Sequence, residues 1–170
     1  MMKEYIIESF LLLLQENKYE QITIGEITVK AGVNRSTYYR HFNSKDDIIC
    51  AYFENLLVDY MDNAFVPDLS ALEDYLLPLF TIMYKNKKEL MCIHKSGHSH
   101  LLLHVFNKYF ITRNNNSSNL TTLQFYYHAG GIFNINQFWF DQDMNIPPKE
   151  MAKLAVNTFP KEYLPLVQRT

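Results

Sequence analysis

Glycine and proline are scarce in this sequence, with 5 Gly and 6 Pro among 170 residues. A turn-rich β protein needs more of both, so their scarcity favours long helices. Cysteine is scarcer still, and Cys50 and Cys92 lie far apart in apolar surroundings. Two isolated cysteines suit buried thiols in a reducing cytoplasm better than a disulfide framework or a Cys-x-x-Cys metal clip.

Long apolar runs and targeting signals are also missing. No stretch of about eighteen apolar residues occurs, and the N-terminus opens directly into an amphipathic pattern. We therefore expect a cytoplasmic protein without a membrane span. Catalytic signatures are absent as well, since there is no GxSxG, no GxxxxGK[ST] and no pair of carboxylates with an evident cleft. The sequence predicts neither an enzyme nor a cofactor.

Positive charge is in slight deficit overall but concentrated locally. The formal net charge is −2, which by itself argues against a nucleic-acid partner. The segment from Ile27 to Lys45 nevertheless contains Lys30, Arg35 and Arg40 and no Asp or Glu. Such a cationic patch on an acidic chain is typical of a small phosphate-contacting surface, although solvated basic faces are common.

The apolar spacing predicts an all-α fold. Residues 3–16 form a first amphipathic helix, and a second begins at Thr23, with Glu26 three residues later as in a capping box. Gly32 has the position of a left-handed residue that ends this helix. Asn34 then caps a short third helix, from Arg35 to about Phe42. Ser44 caps a fourth, whose first turn holds Asp46 and Asp47 and which ends before Pro67.

The second and third helices with their Gly-containing turn predict a helix-turn-helix. In this arrangement the second helix enters the major groove of DNA and the first lies across the backbone. Arg35, Ser36 and Thr37 occupy the first turn of the reading helix. Val33, Tyr38 and Phe42 lie about a turn apart and are expected to hold that helix on the core; Tyr39 and His41 are expected to face phosphates, as is Lys45.

Residues 22–53, ITIGEITVKAGVNRSTYYRHFNSKDDIICAYF, resemble the DNA-binding signature of TetR-type (tetracycline-repressor-like) transcriptional regulators. The resemblance rests on the Thr cap, Ala-Gly-Val, the Thr-x-Tyr block ending in Phe, and Ser-Lys-acid at fixed spacing. Residues 126–155 resemble the last two helices of a TetR subgroup that includes a dihydroxyacetone-kinase regulator. The implied architecture is a helix-turn-helix domain at 1–48, a connecting helix at about 45–65, and a helical effector and dimerisation domain at 66–170.

The resemblance also implies site residues. By it, Thr23, Tyr39 and His41 clamp the DNA backbone, Arg35, Ser36 and Thr37 read or approach bases, and Lys45 contacts a phosphate. Arg40 is expected to act on phosphates too. Two residues depart from the family pattern, since Thr28 replaces a usual Ala and Lys18 a usual Gly. No basic arm precedes the first helix, so minor-groove reading by such an arm is not expected.

After Pro67, helices are predicted near 70–85, 88–112, 119–142 and 149–159, with a polar link at Asn114–Asn119. The 119–142 helix is apolar around most of its circumference, so it must bury two faces. We expect one face, around Trp139 and flanked by Phe133, Phe138 and Phe140, to meet a second copy across a two-fold axis, with the 149–159 helix alongside. Ala129, Gly130 and Gly131 permit close helix approach or a kink. Pro147 and Pro148 suit the start of the last helix, and Pro160 its end.

A histidine run, HKSGHSHLLLH, contains His94, His98, His100 and His104. His100 and His104 stand i, i+4 on the predicted helix and are candidates for sharing a metal. No Cys, Asp or Glu accompanies them within the run, so structural or solvated histidines are the alternative interpretation.

The function indicated is a homodimeric TetR-like regulator, a repressor that binds a near-palindromic DNA operator under control of a small-molecule effector. Two alternatives stay open: a TetR-shaped coactivator that works by protein–protein contact, and a metal-responsive sensor. Apolar and aromatic residues of the C-terminal part can line an adaptable pocket for a neutral or weakly polar effector. The candidates are Met83, Tyr84, Phe106, Tyr109, Tyr126 and His128, the last with Asn136 and Gln137 as orienting polar groups.

Overall fold

A computed structural model describes residues 2–63, 72–113 and 118–158 of the protein. These residues form helices and the loops that connect them, without any strand. The N-terminal elements are α1 (Met2–Glu16), a 3-10 turn (Tyr19–Gln21), α2 (Ile24–Ala31), α3 (Arg35–His41) and α4 (Lys45–Asn63). The C-terminal elements are α5 (Leu72–Lys85), α6 (Lys87–Lys95), α7 (Leu101–Arg113), α8 (Asn119–Asp141) and α9 (Pro148–Val156). The all-α prediction is confirmed.

The helices pack around one continuous apolar core. α1 contacts α2, α4 and α6, while α4 also packs on α5 and α7. The most extensive pairings are α5 with α9 and α7 with α8. Buried side chains from Ile6 in α1 to Ala155 in α9 belong to the same cluster. Because α4 contributes to both halves of this core, the domain boundary predicted at residue 48 stays a prediction.

The predicted single helix over 88–112 is wrong. Two helices, α6 and α7, replace it, and the break contains Gly97 with φ of +82°. His98 N donates to Ile93 O at 3.2 Å and Gly97 N to His94 O at 2.9 Å. These bonds close a Schellman-type end, in which a left-handed glycine terminates a helix. The interruption places His98 and His100 in a loop.

The expected uncovered face around Trp139 is also wrong. Trp139 is fully buried within the chain itself, and its indole Nε1 donates to Ile146 O at 2.9 Å. Phe80 meets its ring edge-on at 5.3 Å between centroids, and Tyr84 stacks on it at 6.0 Å. Phe140 is buried as well, whereas Phe138 is 51% exposed. The face of α8 that the described residues leave uncovered is therefore a different one.

That uncovered face follows a helical stripe along α8. Gly130 and Gly131 lie within it, and a methyl group at either position would meet nothing within 4 Å. The close approach that these glycines permit is therefore not made within the described chain. A shallow groove of about 400 Å³ runs beside them. The exposed apolar side chains of the stripe, hereafter the α8 face, are Leu120, Leu123, Tyr127 and Phe138.

Candidate nucleic-acid interface

The first helix of the predicted helix-turn-helix is fixed at both ends as expected. Thr23 Oγ1 accepts from Glu26 N at 3.2 Å, and Glu26 Oε2 accepts from Thr23 N at 2.8 Å, which completes the capping box. At the other end Gly32 adopts φ of +65°. Gly32 N donates to Val29 O and Val33 N to Thr28 O, so the chain turns sharply into α3.

Asn34 organises the start of α3. Its Oδ1 accepts from Thr37 N at 2.8 Å, from Thr37 Oγ1 at 2.9 Å and from Ser36 Oγ at 2.7 Å. The bond from the backbone N–H identifies the oxygen of this amide, since only an acceptor can lie there. Asn34 thus caps the helix and also fixes the hydroxyls of two residues predicted to approach DNA.

The outer surface of α3 is polar, cationic and free of acidic residues. Tyr38 is fully buried and Phe42 is 2% exposed, so these two side chains anchor α3 on the core as predicted. The Tyr39 ring meets Tyr38 edge-on at 5.3 Å. The side chains that remain exposed on this surface, hereafter the α3 surface, are Arg35, Ser36, Tyr39, Arg40 and His41.

Arg35 lies against the beginning of α2. A methyl group on Gly25 would lie 3.4 Å from Arg35 Nη2 and 3.7 Å from Thr23 Oγ1. The absent side chain at Gly25 therefore gives the guanidinium room beside the α2 capping box. Thr23, on the same side, is exposed. The start of α2 and the first turn of α3 form one continuous polar surface.

Thr37 and Lys45, predicted to contact a base and a phosphate, are less accessible than such contacts need. Thr37 is 7% exposed, and its hydroxyl is directed at Asn34 rather than outward. Lys45 Nζ donates to the backbone carbonyls of Tyr19 and Ile22, the latter at 2.9 Å. Burial lowers the pKa of Lys45, partly opposed by the carboxylates of Glu20 and Asp46. Of the three ammonium protons, one remains for a phosphate.

Lys45 belongs to a cluster of side chains beside the reading helix. The Tyr19 hydroxyl donates to Asp46 Oδ1, and Lys45 Nζ lies 4.1 Å from the Tyr19 ring centroid. Burial and the bond to Asp46 raise the pKa of Tyr19. His98, from the loop between α6 and α7, stacks on the same ring at 3.7 Å between centroids. Sequence reasoning missed this cluster because its members are up to 79 positions apart along the chain, from Tyr19 to His98.

The histidine run is distributed over different contacts. His94 Nε2 lies 3.1 Å from Asp141 Oδ1, and His98 is packed on Tyr19. His100 Nδ1 pairs with Gly97 O at 3.0 Å, one residue before α7 begins, and His104 is exposed on α7. Within the described ranges, no three His, Cys, Asp or Glu side chains form a group that could hold a metal ion. Because α7 begins at Leu101, His100 and His104 do not lie on one helix as the i, i+4 spacing had predicted.

The candidate effector residues have different surroundings in the described part of the chain. Met83 and Phe106 are buried in the core, and Tyr109 packs against it. Tyr84 stacks on Trp139, whereas Tyr126 lines the groove beside the glycines of α8.

His128 has a polar partner within the core. Its Nε2 pairs with the Tyr75 hydroxyl at 3.2 Å. Burial lowers the pKa of His128 to about 4. The two orienting amides have different surroundings: Asn136 is buried and donates to Ile132 O, and Gln137 Oε1 accepts from Ser99 Oγ at 2.8 Å.

None of the helices in the described part of the chain is long and apolar enough to cross a membrane.

Comparison with known proteins supports the interpretation of the N-terminal region. The chain is 32% identical over 53 residues to the HTH-type dhaKLM operon transcriptional activator DhaS of Lactococcus lactis subsp. lactis (strain IL1403). It is 34% identical over 59 residues to the uncharacterized HTH-type transcriptional regulator YvdT of Bacillus subtilis (strain 168). These matches cover 31% and 35% of this chain, and 28% and 30% of the relatives. The matched segment thus spans less than a third of either relative.

Solved structures share the whole fold. The dihydroxyacetone kinase operon activator DhaS superposes with a TM-score of 0.58 at 19% identity, over 99% of this chain and 97% of that one. A TetR-family transcriptional regulator from Syntrophomonas wolfei str. Goettingen gives a TM-score of 0.58 at 16% identity, over 99% and 95%. Identities this low establish the fold alone.

The family model for bacterial regulatory proteins of the tetR family matches residues 6–52, from α1 to the second turn of α4. That range contains the α2 capping box, the Gly32 turn and the α3 surface. Residues 6–52, which hold the helix-turn-helix, are therefore similar to bacterial regulatory proteins of the tetR family.

Proposed function

We propose that this protein is a transcriptional regulator that binds a DNA operator through α3. The observation that carries the proposal is the α3 surface, which exposes Arg35, Arg40 and His41 on a helix without an acidic residue. Cationic side chains supply the salt-dependent attraction to phosphates. A short exposed helix held by a Gly turn fits the major groove.

The exposed positions suggest a division of roles. Arg35 and Ser36 lie in the first turn of α3 and are assigned to base edges. Tyr39, Arg40 and His41 lie further along α3 and are assigned to the DNA backbone, together with Thr23 at the start of α2. Phosphate contacts position a protein without specifying sequence.

Thr37 and Lys45, which are less accessible, are assigned more limited roles in DNA binding. Thr37 supports α3 through its bonds to Asn34 and is not assigned to a base. Lys45 offers a phosphate the single proton that its two carbonyl bonds leave over. Both assignments follow from the hydrogen bonds of these side chains.

We also propose a homodimer that associates through the α8 face. Four apolar side chains of this face are each at least half exposed: Leu120, Leu123, Tyr127 and Phe138. Monomeric proteins rarely expose a large contiguous apolar patch of this kind. A two-fold contact of more than roughly 1,000 Å² through this face and α9 would cover them. Two reading helices related by that axis would meet a near-palindrome.

The proposed effect of operator binding is repression in the cytoplasm, under control of a small molecule bound in the C-terminal region. Met83 in α5 and Phe106 in α7 are buried, so an effector that used them would bind within the helical core. The Tyr75–His128 pair would then offer a neutral polar contact. Effector binding shifts DNA affinity only by its preference between two helix arrangements.

Activation is a second candidate, favoured by one observation. Both DhaS comparisons concern a protein named as an operon activator. The sign of regulation is decided by transcript levels from the bound promoter with and without the gene.

Direct binding is tested by fluorescence anisotropy with duplexes from the DNA upstream of the gene. We expect specific binding, and the logarithm of its association constant should fall linearly with the logarithm of the salt concentration. Replacing Arg40 by Ala should lower that slope by about two units per dimer, one per lost phosphate contact. Lys88→Ala, a substitution of an exposed lysine on α6, serves as the control. A coactivator that works only by protein–protein contact should bind no duplex specifically, and Arg40→Ala should leave its weak DNA affinity unchanged.

A further inference from the structure

The two ends of the helix-turn-helix are joined by one group of side chains. Tyr19 precedes α2, and Lys45 and Asp46 open α4 immediately after α3. The Tyr19 hydroxyl donates to Asp46, and Lys45 Nζ donates to the carbonyls of Tyr19 and Ile22. These three residues, hereafter the clasp, connect the segment that enters α2 with the segment that leaves α3.

The clasp is continuous with the turn that ends α3. Asp47, next to Asp46, accepts through Oδ2 from Asn43 N at 2.8 Å and from Ser44 N at 3.0 Å. Ser44 Oγ in turn accepts from Asp47 N at 3.1 Å. A shift of the first turn of α4 therefore moves the end of α3 directly.

A side chain from the C-terminal part of the chain lies on this clasp. The His98 ring stacks on Tyr19 at 3.7 Å with an interplanar angle of 29°, and its Nε2 lies 4.0 Å from Asp46 Oδ1. His98 Nδ1 also pairs with Ser96 Oγ at 3.0 Å, and the left-handed Gly97 ends α6 immediately before it. The ring orientation is thus fixed by its own loop.

The loop that carries His98 is connected to the helices of the C-terminal region. It connects α6 with α7, and α7 packs on both α8 and α4. Ser99, the next residue, donates to Gln137 in α8 at 2.8 Å. Movement between α7 and α8 consequently reaches His98 through a single peptide link.

We propose that His98 is a positioning residue for DNA binding, which holds the Tyr19–Lys45–Asp46 clasp and so sets the orientation of α3. This inference rests on the proposed function, since its consequence is operator affinity. His98 makes no contact with the α3 surface and acts only through Tyr19 and Asp46. Its place in the histidine run therefore reflects a contact between regions of the chain.

The stack predicts which substitutions matter. His98→Ala removes the ring, whereas His98→Phe keeps a planar aromatic ring on Tyr19 and loses only the polar contacts. His100→Ala is the matched control, because His100 is exposed in the same loop and its Nδ1 bonds Gly97 O. All three variants retain Gly97 and the end of α6.

Two readouts test the proposal on the full-length protein. For His98→Ala we expect operator affinity at 25 °C to fall about 3- to 30-fold, the range typical of mutations that alter coupling without touching the ligand. Amide exchange should accelerate at residues 18–22 and 43–47, on either side of the helix-turn-helix. His98→Phe should restore both properties, and His100→Ala should leave both unchanged.

The outcomes separate this inference from the proposed function. A merely structural role would lower the melting temperature of His98→Ala while its operator affinity at 25 °C stayed that of the wild type, and that result would overturn the proposal. Failure of His98→Phe to restore affinity would overturn the role of the stack. If the wild type bound no duplex, the proposed function would fail. Unchanged exchange at 18–22 and 43–47 in His98→Ala would then refute the hold on the clasp independently.

Discussion

Helices α3 and α8 both leave one face uncovered, yet the two faces have opposite chemistry. α3 has seven residues and exposes guanidinium, imidazole and hydroxyl groups. α8 has 23 residues, carries one charged residue, Asp141, and exposes leucine and aromatic side chains. Each helix is anchored on its opposite side by fully buried aromatic rings, Tyr38 and Trp139 respectively.

The difference indicates two kinds of partner. A cationic polar face gains little from an apolar surface but much from a polyanion, because its side chains neutralise phosphates and release the cations condensed on the DNA. An apolar stripe gains most from another apolar surface, since burial there removes area from water at about 25 cal/mol per Å². DNA on α3 and a second copy on α8 are the corresponding proposals.

The largest expected effect concerns the α8 face. Phe138→Asp puts a charge at the proposed two-fold contact, and we expect self-association to weaken at least about 100-fold, equivalent to ~2.7 kcal/mol. Sedimentation velocity at micromolar concentration measures it. Val58→Asp, at a valine that is 58% exposed on α4, should leave the oligomeric state unchanged. Equal sedimentation of both variants and the wild type would exclude the α8 face as the contact.

The buried side of α8 predicts a pH dependence. The pKa of His128 is lowered from 6.5 to about 4 by burial, so the unfolded chain binds a proton that the folded chain does not take up between these values. Stability is therefore complete above pH 6.5 and falls as pH drops towards 4, by on the order of 3 kcal/mol. Urea unfolding at pH 7.5, 6.5, 5.5 and 4.5 measures this.

His128→Gln supplies the comparison, since it keeps a hydrogen-bonding side chain near Tyr75 without a titrating ring. The loss between about pH 6.5 and 4 should become smaller in this variant. His104→Gln, at an exposed histidine, should retain the wild-type profile. The same pH profile in all three proteins would show that His128 is not the group responsible.

The next largest effect is on stability and concerns Asn34, the residue that caps α3. Asn34→Ala removes the acceptor for Thr37 N, at about 1 kcal/mol, and also leaves the buried Thr37 hydroxyl without its partner. We expect a total loss of about 2 kcal/mol in the free energy of unfolding. Ser36→Ala, at an exposed hydroxyl that bonds the same oxygen, should change stability by less than about 0.5 kcal/mol. Similar losses from both would contradict the assigned role of Asn34.

The smallest effects compare two glycines. Gly32→Ala forces a side chain into φ of +65° and should destabilise the protein by about 1 kcal/mol. Gly130→Ala adds a methyl that meets nothing within 4 Å on α8, so it should stabilise the helix by roughly 0.5–1 kcal/mol. If a second copy approaches closely at Gly130, the same change should weaken self-association. Thermal unfolding and sedimentation distinguish the two contributions.

The ends of α2, α3 and α4 could be predicted because caps depend on neighbouring residues. Thr23 with Glu26, Asn34 with Thr37, and Ser44 with Asp47 are each three positions apart, and all three bonds are present. The break after α6 is equally local. Gly97, one of the 5 glycines of the chain, is the local signal for this break.

Contacts that depend on tertiary packing could not be predicted in the same way. An all-round apolar helix such as α8 does not reveal which face its own chain covers, so Trp139 was assigned to the wrong side. Lys45 fits a phosphate contact in the sequence pattern, but two carbonyls 23 and 26 positions away accept its protons. The candidate effector residues share composition, which gives no information about a common cavity.

Selection of duplexes from a random DNA pool tests the central claim most directly. With the wild-type protein we expect enrichment of an inverted repeat whose half-site centres lie one helical turn, ~34–36 Å, apart. The Arg35→Ala, Arg40→Ala double variant should enrich no such repeat while remaining folded, and Lys88→Ala should select the wild-type sequence. Absence of any enriched sequence with the wild type, or recovery of the same repeat by the double variant, would contradict operator recognition through the α3 surface.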